Sequence, residues 1–555
     1  MSEVKDSAVV DPNVNGKMPA PFAGKGNENE QGDAKKSFSW NPFQVLQTER
    51  KTIFYMCLMF SSISFTYTFL RNFKDRIIFS VLDNVESKNW LKLFTFLATQ
   101  FLVTVAQNIS SKSNFNIAFT KLTMLFGSLL LLNTLCMTFS YYIQLDELYT
   151  DFLFVSSSLS IRGLRFLYPF FLILNQWTYS FFYILAEVIG SMMVSFCFMT
   201  YVNSNTTETQ NRRFVKILYI FSNITSFIAA ESYSRWNVAF KKRSKEDADF
   251  YYTVFPCIAV AIYVFVLGIK TLLEKELQKN AVASSASTTK KAGSKKRKIG
   301  FSDSIYLMFN SNLLLCMSAL SLFYNISSNL LETAGSSGMK ASASYLGYDR
   351  SFYSTGYKSM DGKITSIGTC LIIASPMSFL IDRYGIETFA YVPLAVVAAA
   401  VFIQGSFAII NYPATGYDCM WPFSKFVFEK FYPELESWVS TAVQISIKIS
   451  KYAFFDIVKE ALSMKIDPSI RPLFKGVFDG SMAKFGKCAG SIYGIIMAIF
   501  IDCFDNRYYF PITGAIMLGF CICWHFAIRY LSKSYNLACK TSTFMDPDMK
   551  EKINL

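Results

Sequence analysis

Apolar residues gather into long runs along this chain, separated by short polar stretches. At about 1.5 Å rise per residue, a run near 20 is long enough to cross a ~30 Å hydrocarbon layer as a helix. Twelve such segments are predicted, at roughly 52–80, 91–110, 116–142, 176–202, 213–232, 250–273, 303–331, 364–382, 387–411, 438–460, 487–503 and 508–532. Residues 146–175 are apolar too, but Arg162 and Arg165 interrupt them, so that stretch reads as an interfacial or re-entrant helix. The expected fold is an all-α polytopic membrane protein with 12 transmembrane helices.

The polar stretches supply the organisation. Residues 1–49 mix Pro, Gly and Asn with both charge signs and read as a disordered cytoplasmic tail. No apolar core follows a basic start there, and Glu3, Asp6, Asp11, Glu28, Glu30 and Asp33 make it too acidic for an organellar transit peptide. Residues 274–300 form a linker rich in Ser, Ala and Lys, with six segments on either side. An N-terminal half at 50–273, a C-terminal half at 301–535 and a tail at 536–555 give a major-facilitator-like 6+6 pseudo-repeat. The tail, the linker, the loop after segment ten (Lys465, Arg471, Lys475, Lys484, Lys487) and the C-terminal stretch all carry Lys or Arg. An even number of spans puts them on one side, which positive charge in short loops identifies as cytoplasmic. The stretch Arg235 to Lys245 dissents, with five Lys or Arg on the other side.

Composition sharpens the exclusions. Charged residues make up 17% and hydrophobic ones 52%, against about 25% charged in a soluble domain. A single histidine, His525, rules out His-rich metal sites and Ser-His-Asp or Cys-His catalysis at any other histidine. The cysteines are scattered through apolar runs, and Cys521-x-Cys523 lacks redox or zinc spacing, so they read as packing residues. The net charge of +14 is largely a topology signal and does not call for nucleic acid. Gly480 and Gly486-Lys487 hint at a phosphate loop, but the spacing is wrong and Cys488 stands where Ser or Thr belongs. No enzyme, metal or cofactor is expected.

Charges inside apolar runs point to a site, because each costs roughly 3 kcal/mol at the bilayer centre. Arg71, Lys74 and Asp75 share one helix face in segment one and leave a net positive spot suited to an anion. Glu187 is the lone charge of segment four and calls for a cation partner. Asn325, Asn329 and Glu332 form a polar stripe toward the end of segment seven. Segment ten carries Asp456, Lys459 and Glu460, with Lys451 a turn earlier. YILAEVIGS and DIVKEALS place Glu187 and Glu460 at similar positions in the two halves, as an internal repeat would.

FLRNFKD, WTYSFFYILAEVIGS, NRRFVKILYIFSN, SKYAFFDIVKEALSMKID and FKGVFDGSMAKFGKCAGS together resemble the signature stretches of the nucleotide transporter (ATP/ADP translocase) family of plastids, rickettsia- and chlamydia-like bacteria and microsporidia, over about residues 50–535. The resemblance is strongest to the microsporidian members. It implies a carrier that exchanges ATP for ADP by alternating access, importing host ATP into an intracellular parasite; the alternative is a proton-coupled importer of several purine nucleotides. The family's functional lysine in span one falls on Lys74, its span-four glutamate on Glu187 beside Ala186, its span-seven glutamate on Glu332, and its lysine after span ten on Lys475 with Asp479. Asp456, Lys459 and Glu460 fall on its D-x-x-KE element. Gln176 replaces the usual Asn before Trp177, and the Ser- and Gly-rich stretch Gly335 to Tyr357 departs from the family's usual loop. On this reading Lys74, Arg71, Lys459 and Lys475 bind phosphates. Glu187, Glu332, Asp456 and Glu460 act as gating or ion-pair carboxylates, and Asn223, Trp177 and Asn329 bind the base, with Tyr183 or Phe182 as other aromatic candidates. The expected partners are ATP and ADP, with other nucleotides left open, and the lipid bilayer. The expected state is a monomer in the parasite plasma membrane with both termini cytoplasmic.

Overall fold

A computed structural model describes residues 47–545 except 83, 113–114, 140–166, 207, 241–244, 284–305, 307–308, 376, 413–430, 467–473, 475–476, 479–481, 502, 504 and 542. Among the described residues there is no strand. In chain order the N-terminal part holds α1 (Arg50–Ser80), α2 (Ser87–Lys112), α3 (Phe115–Thr138), a short α4 (Tyr168–Asn175), α5 (Trp177–Met192), α6 (Met199–Asn205), α7 (Glu208–Phe240) and α8 (Lys245–Ala283). The C-terminal part holds α9 (Asn312–Tyr345), α10 (Arg350–Ala374), α11 (Met377–Asn411), α12 (Pro433–Ser450), α13 (Asp456–Met464), α14 (Met482–Ile501) and α15 (Phe510–Thr541). A π-helical turn, Met193–Phe198, joins α5 to α6, and another, Lys451–Phe455, joins α12 to α13. Each trio therefore makes one crossing. Among the described residues, eight helices are long and apolar enough by themselves to cross a membrane.

Buried apolar side chains fall into two large clusters. One is drawn from Ile53 to Leu273 and the other from Leu313 to Leu531, so each half owns a core. Large exposed apolar groups such as Phe101, Leu132, Phe402 and Phe500 form the outer wall, as a lipid-facing surface requires. The face at which α1 begins is called basal here and the opposite one distal.

The stretch read as a Ser- and Gly-rich loop is helical. α9 runs unbroken to Tyr345, and α10 begins at Arg350 after a turn through Gly347, whose φ of +73° favours glycine. Spans seven and eight thus end and start well beyond the boundaries drawn from hydropathy. The small residues serve close packing: Ser342 donates to the Pro433 carbonyl at 2.8 Å, and Gly335 and Gly338 face Ser440 and Glu436 of α12. Other boundaries shift as well. α8 continues to Ala283, so its last ten residues lie in the stretch assigned to the linker, and α15 continues to Thr541. α11 bends at Gly385, whose φ is +79°. Of the interfacial stretch 146–175, only its end is described, as α4, and Arg162 and Arg165 lie outside the described residues. The tail before residue 47 and the linker from 284 to 300 lie outside them too.

Gly486, considered for a phosphate loop, lies inside α14 against α9. A Cβ there would sit 2.9 Å from the Leu322 carbonyl oxygen and 3.0 Å from Asn325 Cβ. Backbone cannot yield as a side chain can, so Gly486→Val should cost about 1–3 kcal/mol and lower the thermal unfolding midpoint of the purified protein in detergent. An unchanged midpoint would show that α9 and α14 are less tightly fitted than drawn.

Candidate substrate site

The halves meet mainly near the distal face. Asn237 of α7 donates to the Phe352 carbonyl at 3.2 Å, and Ser359 of α10 donates to the Ala230 carbonyl at 2.7 Å. Lys363 pairs with Glu231 at 3.0 Å, and Gly494 of α14 makes room for Asn89 of α2. Glu231 also holds Arg235 at 2.9 Å, so one of the dissenting positive charges has an acid of its own.

Between these contacts lies a chain of alternating charges. Lys74 Nζ is 3.2 Å from Glu187 and 3.1 Å from its neighbour Asp75. Asp75 reaches Lys358 of α10 at 3.6 Å, and Lys358 lies 3.4 Å from Glu332 of α9. Glu332 completes the series with Lys88 at 2.7 Å and Lys92 at 3.2 Å, both on the first turns of α2. Acids and bases from both halves thus form one connected series. Coulomb attraction in low dielectric is several times its value in water, and no member could stay buried alone without a large penalty.

On the basal side of this lock, cations outnumber acids. Glu187, 24% exposed at its side chain, interacts electrostatically with Lys487, Arg71 and Lys484 as well as Lys74. Lys487 is exposed and in turn feels Lys451 and Arg71. Lys484 donates to Ser191 Oγ at 3.2 Å, across the halves. Among the described residues, no carboxylate lies within ion-pairing distance of Arg71, Lys451, Lys484 or Lys487. Side chains from both halves therefore gather into a net positive cluster around the partly exposed Glu187, suited to a polyanion.

The structure sorts the residues singled out in the sequence. Lys74, Glu187 and Glu332 join the charge series, and Arg71 faces the cationic space. Lys459 is held at 3.2 Å by Asp456 on its own helix and sits 4.9 Å over the Phe455 ring. Glu187 precedes its π turn, whereas Glu460 follows its own. Their supposed equivalence in the two halves therefore does not hold. The shared landmark is the π turn. Lys475 and Asp479 lie outside the described residues. Asn329 accepts from Lys92 and donates to the Lys487 carbonyl at 2.8 Å, so it ties α9 to α14. Trp177 sits at the distal start of α5, and Asn223 donates to the Tyr219 carbonyl of its own helix at 2.8 Å. Phe182 is buried edge-on to Phe73, and Tyr183 lies beneath Lys74 with 4.3 Å from Nζ to ring centre, so neither ring is open to a ligand. Lys88, Lys92 and Lys358 were not picked out. The first two flank an apolar run at i, i+4 spacing, the one signal that could have drawn attention to them.

Lys74→Ala and Glu187→Ala each remove the same 3.2 Å ion pair, so their costs overlap. The double variant should therefore lower the detergent unfolding midpoint by less than the sum of the two single losses. A double variant that loses the sum of the two single losses would show that the pair is not coupled.

The sequence model of a family described as TLC ATP/ADP transporter matches residues 28–535. An ADP,ATP carrier protein 1 of Encephalitozoon cuniculi is 31% identical over 517 residues, covering 92% of this chain and 91% of that protein. An ADP,ATP carrier protein 1 of Paranosema grylli is 27% identical, covering 92% and 93%. Among solved structures, a D-xylose-proton symporter aligns with a TM-score of 0.50 at 12% identity, over 85% of this chain and 96% of that one. That likeness speaks to the fold alone, a polytopic helical bundle.

Proposed function

This chain belongs to the TLC ATP/ADP transporter family, and we propose that it exchanges ATP for ADP across a membrane, with the phosphates held in the cationic space between its halves. The observation that carries the reading is that space: Arg71, Lys484 and Lys487 converge from both halves on Glu187, with Lys451 beside Lys487. Arg71 suits bidentate phosphate contacts, while the lysines act as movable point charges. Lys74 joins them when phosphate competes with Glu187 for its ammonium. Lys475 would complete the set from the basal side.

Exchange follows from the electrostatics. Closing the halves over an empty site would crowd like charges in low dielectric, which is costly. Bound nucleotide supplies the missing anion, so the loaded carrier reorients and the empty one does not. The charge series then couples site to gate. Phosphate drawing Lys74 from Glu187 also loosens Lys74 from Asp75, and through Lys358 and Glu332 it reaches the distal lock. No nucleotide is cleaved in this scheme, and no cofactor is needed.

The Lys-rich linker supports a cytoplasmic basal face, with both termini there. The microsporidian relatives support a place in the surface membrane of an intracellular parasite, importing ATP from its host. Both halves of the site come from one chain, so a monomer suffices. Other nucleotides with the same phosphate chain are candidate substrates.

Labelled ATP uptake into proteoliposomes tests the reading. Internal ADP should accelerate uptake, and a protonophore should leave it unchanged. Lys484→Ala and Lys487→Ala together should raise KM about thirtyfold or more. Uptake equally fast into empty liposomes would refute exchange, and uptake that collapses with the protonophore would establish proton-coupled import instead.

A further inference from the structure

The phosphate cluster leaves the nucleoside unplaced, and two aromatic rings stand open beside it. Tyr219 of α7 and Tyr452 of the second π turn are each 39% exposed, although their neighbours come from inside the protein. Tyr452 interacts electrostatically with Tyr67 and Arg71 of α1. Tyr219 interacts with Lys451, Tyr452, Asp456 and Glu460 across the gap between halves. Each ring thus has charged or polar neighbours from the opposite half, and the two make no ring contact with each other.

Both rings are held in place. Tyr219 packs edge-on against Phe60 with centroids 5.9 Å apart, which fixes its plane. Lys451 Nζ lies 5.1 Å from the Tyr452 ring centre, which fixes one side of that ring. The π turn explains how Tyr452 comes to point inward. An extra residue in the turn rotates the side chains out of α-helical register, and such turns concentrate at functional sites. The turn brings Lys451 and Tyr452 together at the edge of the cationic space.

We infer that Tyr219 and Tyr452, one from each half, form a stacking cleft for the nucleotide base. The inference rests on the carrier reading above and extends it to the substrate's base. A base lodged there places the ribose toward Arg71 and Lys451 and the phosphates toward Lys484 and Lys487. Stacking on a ring face recognises area and not edge pattern, so the cleft favours purines over pyrimidines and separates adenine from guanine weakly. It also makes the base a bridge between the halves, since neither half holds both walls.

The test is labelled ATP uptake into ADP-loaded proteoliposomes, with wild type, Tyr219→Leu, Tyr452→Leu, Tyr219→Phe and Tyr452→Phe. Unlabelled ATP, GTP, CTP and tripolyphosphate serve as competitors. Leucine keeps bulk but removes the ring, so each Leu variant should raise KM for ATP about tenfold, while the Phe variants stay within about twofold because the face survives. GTP should compete within a few-fold of ATP, and CTP more weakly. Tripolyphosphate has the charges without the base, so its competition should be the same in all variants. Leu variants with wild-type KM would overturn the cleft. So would Leu variants that weaken ATP and tripolyphosphate alike, which would mark a merely structural role. Wild-type protein that moves no ATP would overturn the carrier reading itself, a failure visible before any variant is compared.

Discussion

Everything polar in this protein answers to one constraint, that a charge taken out of water must meet its opposite. The cost of failing is several kcal/mol per ion, comparable with the whole stability of a domain. The chain meets it in two ways. Near the distal face, Lys74, Asp75, Lys358, Glu332, Lys88 and Lys92 satisfy one another. Deeper between the halves, the account is left open, and the imbalance becomes an appetite for an anion. Lock and site share Lys74 and Glu187, so a change in one is felt in the other.

Two separate apolar cores allow this economy to move. Each half packs around its own buried side chains, while the surfaces between halves are joined by hydrogen bonds and ion pairs that can be exchanged for others. Rigid halves rocking over a fixed site need no repacking of either core. The small residues along α9 fit the same logic, because they let α12 lie close and keep the C-terminal half stiff.

How much of this the sequence disclosed depended on the kind of signal. Spans announced themselves wherever apolar runs were long, because the bilayer imposes that length. The turn between α9 and α10 did not, because serine and glycine look like loop in a polarity profile and pack like helix when another helix lies against them. Glu332 was visible through its motif, but its lysines were not. Lys88 and Lys92 sit at the edge of an apolar run, where a lysine ordinarily reaches for water. Lys358 was hidden between the presumed loop and the predicted start of span eight. The equivalence drawn between Glu187 and Glu460 failed because local sequence likeness was trusted over register, and only the two π turns show how the fourth and tenth crossings correspond. Tyr219 and Tyr452 lie inside two of the motif stretches, NRRFVKILYIFSN and SKYAFFDIVKEALSMKID, yet nothing set them apart there in a chain so rich in aromatics; their open faces are a product of the fold.

One feature of the lock bears on how the protein is built. Among the described residues, Lys88 and Lys92 belong to the N-terminal half, while the carboxylate that pairs with them, Glu332, belongs to the other. During synthesis the first half is finished while that acid has yet to enter the membrane. The early half therefore carries a surplus of buried positive charge that only its own second half relieves. Assembly of the two halves is thereby directed as well as driven: a misplaced partner would bury apolar surface equally well, yet leave two lysines without an acid.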